Sequence, residues 1–435
     1  MNTDNSASGS IFQSGDYKRS RTAYILRCAF EYLVSLFLAD AFLAKLLSSL
    51  GLSDALIGII ASFVSFSYLF QLLSLFLMEH ISNIKRTAIV FSVIGQLLFT
   101  SLYVLPFLPI PPSFRSAAVI LFFLVAYFCK YLISSMCFKW AYSFVDPAKR
   151  AVFSAKNEIV SLACGIVLTI GAGLMMDRFE QAGNLRGCFF CIAVLMLVFS
   201  ICDFICLLLI RNATPEETAQ MRKPFGDALR YVLGNRSFWC VVLMTSMWSA
   251  AIYLTVSFLG TYKTNDLLIT VGTVQLINVG ANVCRIAVSG PFGRFSDRRS
   301  YAAGYKLALL IAACAFAVNM FTTPQRWWLI IAFMVLYYCS LAGTGQNGTN
   351  ILYYFVDSNY IVQAVAIKNA IVGVASFCAS LIGSRILSAV QANGNVVFGV
   401  PLYGQQLLSA LSFLLTLATA AYTCFRVEKL PHRGV

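Results

Sequence analysis

Histidine is almost missing from this chain. Its only two, His80 and His432, fall in a loop and in the C-terminal tail, so imidazole catalysis and His-based metal centres have little to build on. No nucleophile with a paired base emerges either, which leaves an enzyme without its usual grounds. Charge is scarce as well: 11% of residues are Asp, Glu, Lys or Arg against 59% hydrophobic, and the mean hydropathy is +0.77. A soluble globular chain of 435 residues carries more charge than that. No G-x-x-x-x-G-K-[ST] loop occurs, so direct ATP coupling within the chain has no motif to rest on. The 14 cysteines lie mostly in apolar runs, where they act as small hydrophobes. The C-x-x-C at Cys188 and Cys191 lacks nearby histidine or carboxylate ligands. No cofactor or metal is expected.

Long apolar runs are what the chain has in abundance. A membrane helix needs roughly 20 apolar residues. Such stretches run over 22–50, 54–78, 87–107, 116–142, 152–176 and 188–210, then over 238–262, 268–292, 301–322, 327–350, 365–390 and 401–425. They are numbered here as spans 1 to 12. Lys18, Arg19, Lys85, Arg86, Lys149, Arg150, Arg222, Lys223, Arg298 and Arg299 fall in one set of connections, whereas the alternate set holds only Arg115, Arg178, Arg186, Lys263 and Arg326. Cations in short loops stay cytoplasmic, so both termini are expected inside, and the net charge of +14 reads largely as a topology signal. Dispersed over many loops, these cations form no continuous basic face for nucleic acid. No apolar region precedes span 1, which is expected to serve as an uncleaved insertion signal. Segment 212–237 reads as a linker with an amphipathic run from Phe225 to Leu233 that either lies along the cytoplasmic interface or is a plain solvated connector.

The same plan is written twice. Ser53-Asp54-Ala55-Leu56-Ile57 matches Asn265-Asp266-Leu267-Leu268-Ile269, an offset of 212 (266 − 54). Phe144-Val145-Asp146 returns as Phe355-Val356-Asp357, and Lys156-Asn157-Glu158-Ile159-Val160 as Lys368-Asn369-Ala370-Ile371-Val372. Three ordered matches at one nearly constant offset imply a duplicated unit. The expected organisation is an N-terminal tail (1–21), a six-span half (22–211), the linker (212–237), a second half (238–425) and a C-terminal tail (426–435).

Two six-span halves, a central loop and the loop after span 8 together resemble the major facilitator superfamily. Gly293-Arg294-Phe295-Ser296-Asp297-Arg298-Arg299 is similar to that family's G-x-x-x-D-R-x-G-R-R loop, with Ser300 where the family prefers glycine and Tyr301 where it prefers a cation. The equivalent first-half loop, Met78 to Arg86, keeps the terminal cations and loses the glycine and the aspartate. The resemblance implies an all-α fold of twelve transmembrane helices and solute transport by alternating access. Spans 1, 4, 7 and 10 would line a central cavity, with 3, 6, 9 and 12 outside. It implies that Asp297, with Arg298 beside it, latches the cytoplasmic side, where an acid is favoured by a helix amino end. Asp146 and Arg150 resemble the loop between spans 4 and 5 and are either gate residues or ordinary positive-inside anchors. Span 5 lacks the Gly-Pro pattern of proton-linked drug antiporters, and its Gly165, Gly171 and Gly173 would let a neighbour approach closely.

Ionisable side chains inside spans cost roughly 2.5 to 3.5 kcal/mol each and so mark partners or wet cavities. Arg27 and Glu31 lie about 40° apart on one helical face; either they pair locally, or Glu31 faces the cavity to exchange protons or bind a cationic group. Asp40 points elsewhere. Lys130, in the middle of span 4, is expected to contact substrate or a carboxylate. Arg285, with Gln275, Asn278 and Asn282 on span 8, forms a second polar set. Asp203 in span 6 is expected to pack against a neighbour, and Arg385 to snorkel. Trp248, Tyr253, Tyr337 and Tyr338 are either packing or stacking platforms. Gly343 to Asn350 is a poor helix by propensity and offers Gly345 as a bend.

The expected protein is therefore a monomeric secondary transporter of the plasma (inner) membrane. Its partners are a small polar solute, anionic in view of Lys130 and Arg285, and the bilayer; protons are the leading coupling ion, through Glu31 and Asp40. The alternatives are a non-transporting receptor or assembly factor, and drug or metabolite efflux.

Overall fold

The computed structural model describes residues 15–77, 81, 83–146, 149–214, 217, 225–357, 360–397 and 399–430. The N-terminal tail up to Ser14, loop residues Met78–His80, Pro147–Ala148, most of the linker before Phe225, and the tail from Pro431 with His432 lie outside them.

The apolar runs become helices. α1 comprises Gly15–Phe37 and Asp40–Ser49, and α2 comprises Asp54–Ala61, Phe63–Phe66 and Tyr68–Leu77. The remaining first-half helices are α3 (Ile84–Val104), α4 (Pro112–Ser143), α5 (Arg150–Gln181) and α6 (Leu185–Leu209). In the second half α7 runs Arg236–Thr255 and continues through short turns to Asp266; α8 (Val271–Arg298), α9 (Tyr301–Asn319), α10 (Leu329–Asn350), α11 (Ile361–Ala392) and α12 (Gly404–Phe425) follow. The amphipathic run is a helix over Phe225–Leu233. A two-residue hairpin, β1 (Val396–Val397) with β2 (Val400–Pro401), is the one sheet among the described residues. The chain is an all-α polytopic membrane protein.

Among the described residues eleven helices are long and apolar enough to cross a bilayer; α1 is the remaining expected span. Arg27 and Glu31 lower its hydropathy, and a break after Phe37 shortens it, with Asp40 resuming the helix at φ +49°. The break frees the Phe37 carbonyl, which accepts a 2.7 Å hydrogen bond from the buried Tyr103 hydroxyl. Irregular backbone in a span survives only when its polar groups are met in this way. α7 loosens similarly after Thr255, whose carbonyl accepts from Gln405 Nε2 at 3.0 Å. α2 is divided at Ser62 and Ser67, whose hydroxyls donate back to Ile59 and Phe63 carbonyls at 2.6 Å, a contact that bends helices.

By internal contacts the chain separates into two units: Met1–Phe42 with Phe70–Pro224, and Leu43–Leu69 with Phe225–Val435. They depart from the expected six-span halves in one segment, Leu43–Leu69, which belongs with the second unit. The reason is packing against α11. Ser65 of α2 approaches Gly373 so closely that a Cβ there would collide with the Ser65 carbonyl, and Phe63 and Phe66 meet Phe377 at 5.8 and 4.9 Å.

The duplicated turns do duplicate work. The Phe144 carbonyl accepts from Arg21 Nη1 at 3.1 Å in the first unit, and the Phe355 carbonyl accepts from Asn235 Nδ2 at 2.7 Å in the second. Phe144, Val145, Phe355 and Val356 are all buried. Each turn thus ties the end of the fourth helix of its half to the start of the first.

Of the glycines expected to admit a neighbour, Gly165 does so: a Cβ would stand 2.6 Å from Tyr32 of α1, whereas Gly171 faces open space. The helix is not interrupted over Gly343 to Asn350, where weak propensity predicts a bend; α10 stays helical to Asn350. Gly343 packs against Ala308 and Phe292, and Gly348 against Tyr305, so these glycines serve close approach. Tertiary contact here overrides weak propensity. Gly345 faces open space and is exposed.

Candidate functional site

In the first unit, α1, α4 and α6 bring four charged side chains together. Lys130 Nζ lies 3.0 Å from Glu31 Oε1, and Glu31 Oε2 lies 3.4 Å from Arg27 Nη2. Arg27 Nε in turn lies 3.5 Å from Asp203 Oδ1, whose other oxygen accepts from Ser92 Oγ at 2.8 Å. Arg27 and Asp203 are buried, at 4% and 2% exposure, while Lys130 and Glu31 remain partly open. Arg27 and Glu31 meet locally, as spacing four residues apart permits, and Glu31 also reaches Lys130 of α4. Asp203 packs inward, as expected of α6, onto Arg27.

Two cations and two carboxylates balance, so with all four ionised the cluster is neutral. Partial burial strengthens each pair and makes a lone member costly. Beside the cluster is a cavity of about 30 Å³ lined by Glu31, Ser35, Ser92, Gln96, Tyr127 and Lys130 among others. That is room for a water or two. Gln96 is buried, its Oε1 without a protein partner. Ser92 and Gln96 of α3 are residues the sequence reading missed, because span 3 was assigned to the periphery by resemblance. Their spacing of four within an apolar run was the available signal.

Asp40 is not part of this cluster. It begins the second segment of α1, nine residues after Glu31 and beyond the break, and does not line the cavity.

The second unit presents a different arrangement. Arg285 of α8 is half-buried and has no carboxylate within ion-pair distance among the described residues. It lies within electrostatic reach of Tyr337, which is also within reach of Tyr253 and Tyr338. Tyr337 is buried and stacks on Phe333 at 5.7 Å, and Trp248 packs edge-on against Phe316, so these two rings are core. Tyr338, edge-on to Tyr337 at 5.8 Å, and Tyr253 are half-buried. Asn282 spends its amide on the Asn278 carbonyl at 3.0 Å, and Asn278 donates to Gln275 at 3.3 Å. Lys368, marked in the sequence only as a repeat landmark, is 7% exposed in α11 and has no carboxylate partner among the described residues. Arg285 and Lys368 are thus basic side chains within spans of this unit that have no carboxylate at ion-pair distance among the described residues.

At the gate positions, Asp297 and Arg298 are exposed at the end of α8. Arg150 lies over the Tyr142 ring at 4.9 Å and donates to the Tyr142 carbonyl at 3.3 Å. Asp146 accepts from the Lys149 backbone at 2.8 Å through its carbonyl.

The family model described as Major Facilitator Superfamily matches residues 23–384. Among solved structures, the nucleoside transporter NupG superposes with a TM-score of 0.69 at 12% identity, over 95% of this chain and 100% of that one. The POT family transporter PepTSo gives 0.70 at 12% identity, over 95% and 99%. A bacterial homologue of the human lysosomal transporter Spinster gives 0.65 at 14%, over 95% and 96%. At these identities the likeness is one of fold. No curated protein matches the sequence.

Proposed function

The chain belongs to the Major Facilitator Superfamily, and from that premise we propose that this membrane transporter moves a small anionic solute by alternating access, coupled to protons. The observation that carries the reading is Arg285, an intramembrane guanidinium with no carboxylate beside it among the described residues. A charge in a span needs a partner, and a solute anion supplies one. Lys368 adds a second such cation to the unit, while Tyr253 and Tyr338 offer partly open ring surface.

Glu31 supports the coupling. While it is ionised it neutralises Lys130. A proton on Glu31 removes that counter-charge and gives the first-unit cluster a net charge of +1, so Lys130 attracts an anion only when the proton is aboard. Binding of proton and anion then favour one another by a reciprocal coupling energy. The water-sized cavity next to Glu31 supports proton access.

Reconstituted uptake tests this reading. Proteoliposomes given a panel of small organic anions, neutral sugars and nucleosides, and organic cations should accumulate an anion when the pH gradient is imposed and lose that accumulation with a protonophore. Arg285→Gln should abolish binding. Glu31→Gln should permit exchange of the anion while abolishing its gradient-driven accumulation. Transport of only neutral or cationic solutes, or accumulation indifferent to pH, would overturn it; no movement of any solute would favour a non-transporting receptor. The proposed setting is the plasma (inner) membrane, as a monomer with both termini cytoplasmic. Protease protection of tags at the two ends checks the orientation.

A further inference from the structure

We propose that the groove between α9 and the turn after α12 binds the phosphate of an anionic phospholipid. The groove measures about 480 Å³, far more than a few waters need. Its polar end holds Arg299, Lys306 and Glu428; its apolar end holds Phe295, Leu307 and Leu310.

The polar end carries a surplus positive charge. Lys306 Nζ bonds both Glu428 oxygens, at 2.7 and 2.9 Å, so that pair is satisfied. Arg299 is exposed and has no carboxylate partner among the described residues. One backbone amide at the amino end of α9 is already capped, because Ser300 Oγ accepts from the Ala303 backbone at 3.0 Å; the surplus charge that an incoming anion meets is the guanidinium. Arg binds phosphate through paired donors.

The apolar end chooses between a soluble anion and a lipid. Leu307 and Leu310 lie three residues apart on one face of a membrane span and are 37% and 44% exposed. Leu310 stands about 14 Å along the helix axis from Tyr301, where α9 begins two residues after Arg299, close to the depth of one leaflet's hydrocarbon. A free phosphate would use only the upper end. A phospholipid fills both, with its phosphate at Arg299 and an acyl chain along the leucines. Basic pockets at the ends of membrane helices hold anionic headgroups by the same forces.

The test is thermal unfolding of the full detergent-solubilised chain titrated with dioleoylphosphatidylglycerol, dioleoylphosphatidylcholine or glycerol phosphate. The anionic lipid should raise Tm and the zwitterionic one should not. Arg299→Gln should weaken the apparent affinity for phosphatidylglycerol about fivefold. Glu428→Gln frees Lys306 and should tighten it by a similar factor, a gain that misfolding cannot produce. Equal shifts from both lipids, or an Arg299→Gln protein that binds phosphatidylglycerol like the parent, would overturn the proposal. So would a Tm rise with glycerol phosphate that Arg299→Gln removes, since that would make the groove a soluble-anion site.

Discussion

Glu31 Oε1 and the Lys130 ammonium lie 3.0 Å apart and join α1 to α4. Two residues that the sequence offered as independent solute contacts are each other's counter-ion, so substituting either one strands the other. Lys130→Ala should destabilise the protein by about 1–3 kcal/mol, below the roughly 3–5 kcal/mol of a broken fully buried pair because both side chains keep some solvent contact. Glu31→Gln should cost a similar amount. The double variant should lose clearly less than the sum, because no lone charge remains. Denaturant or thermal unfolding of the four proteins gives the coupling energy; strictly additive losses would mean the pair contributes nothing.

Asp203 is placed to be costlier. It is 2% exposed and accepts from Ser92 while facing Arg27, itself 4% exposed. Asp203→Asn keeps the shape and leaves Arg27 with Glu31 alone, for an expected loss of about 3–5 kcal/mol. Ser92→Ala removes one hydrogen bond to a charged group and should cost about 1.5–3 kcal/mol. The order of the two melting temperatures is the check, and a milder Asp203→Asn would show that Arg27 is held by other means.

The close helix approaches of the second unit make a sharper forecast. The Phe258 ring leaves no room for a Cβ at Gly58, and one at Gly383 would stand 2.8 Å from the same ring. Gly58→Ala should cost about 1–3 kcal/mol through overpacking, and adding Phe258→Leu should recover part of it. Gly373→Ala meets the Ser65 backbone instead. No side-chain truncation relieves that clash, so Phe258→Leu should leave the Gly373→Ala defect unchanged.

Much of the fold was legible because long apolar runs and short polar connections are written plainly in the chain. The repeat was legible too, down to Phe144 and Phe355, whose carbonyls perform the same tie in each half. What stayed hidden was partnership across space. Nothing in the neighbourhood of residue 27 announces Asp203, since that contact requires knowing that α1 packs beside α6. The break in α1 was equally silent: Leu38-Ala39-Asp40 contains no glycine or proline, and its cause lies in Asp40 adopting φ +49° and in Tyr103 meeting the freed carbonyl. Over Gly343 to Asn350, propensity pointed to a bend, and packing by Phe292, Ala308 and Tyr305 prevailed.

Asp54 gives the duplicated landmark a second meaning. It accepts from Asn265 Nδ2 at 2.8 Å and from Gln391 Nε2 at 3.0 Å, so one repeat copy is bonded to the loop of the other and to the end of α11. Both carboxylate oxygens are used. Asp54→Asn retains a single acceptor oxygen and no charge, so it can keep only one of the two bonds in neutral form. With the site half-exposed, the loss should be about 1 kcal/mol. Its readout is local: amide exchange should quicken both in Asp54–Ala61 and at the end of α11 near Gln391. Ser53→Ala supplies the contrast, because Ser53 caps α2 by accepting from the Leu56 backbone at 3.4 Å and touches neither partner. That variant should loosen the start of α2 alone. If Asp54→Asn behaves the same way and leaves exchange near Gln391 untouched, the bond between the two elements carries no free energy, and the apolar contact of α2 with α11 through Phe63, Phe66 and Phe377 holds them unaided.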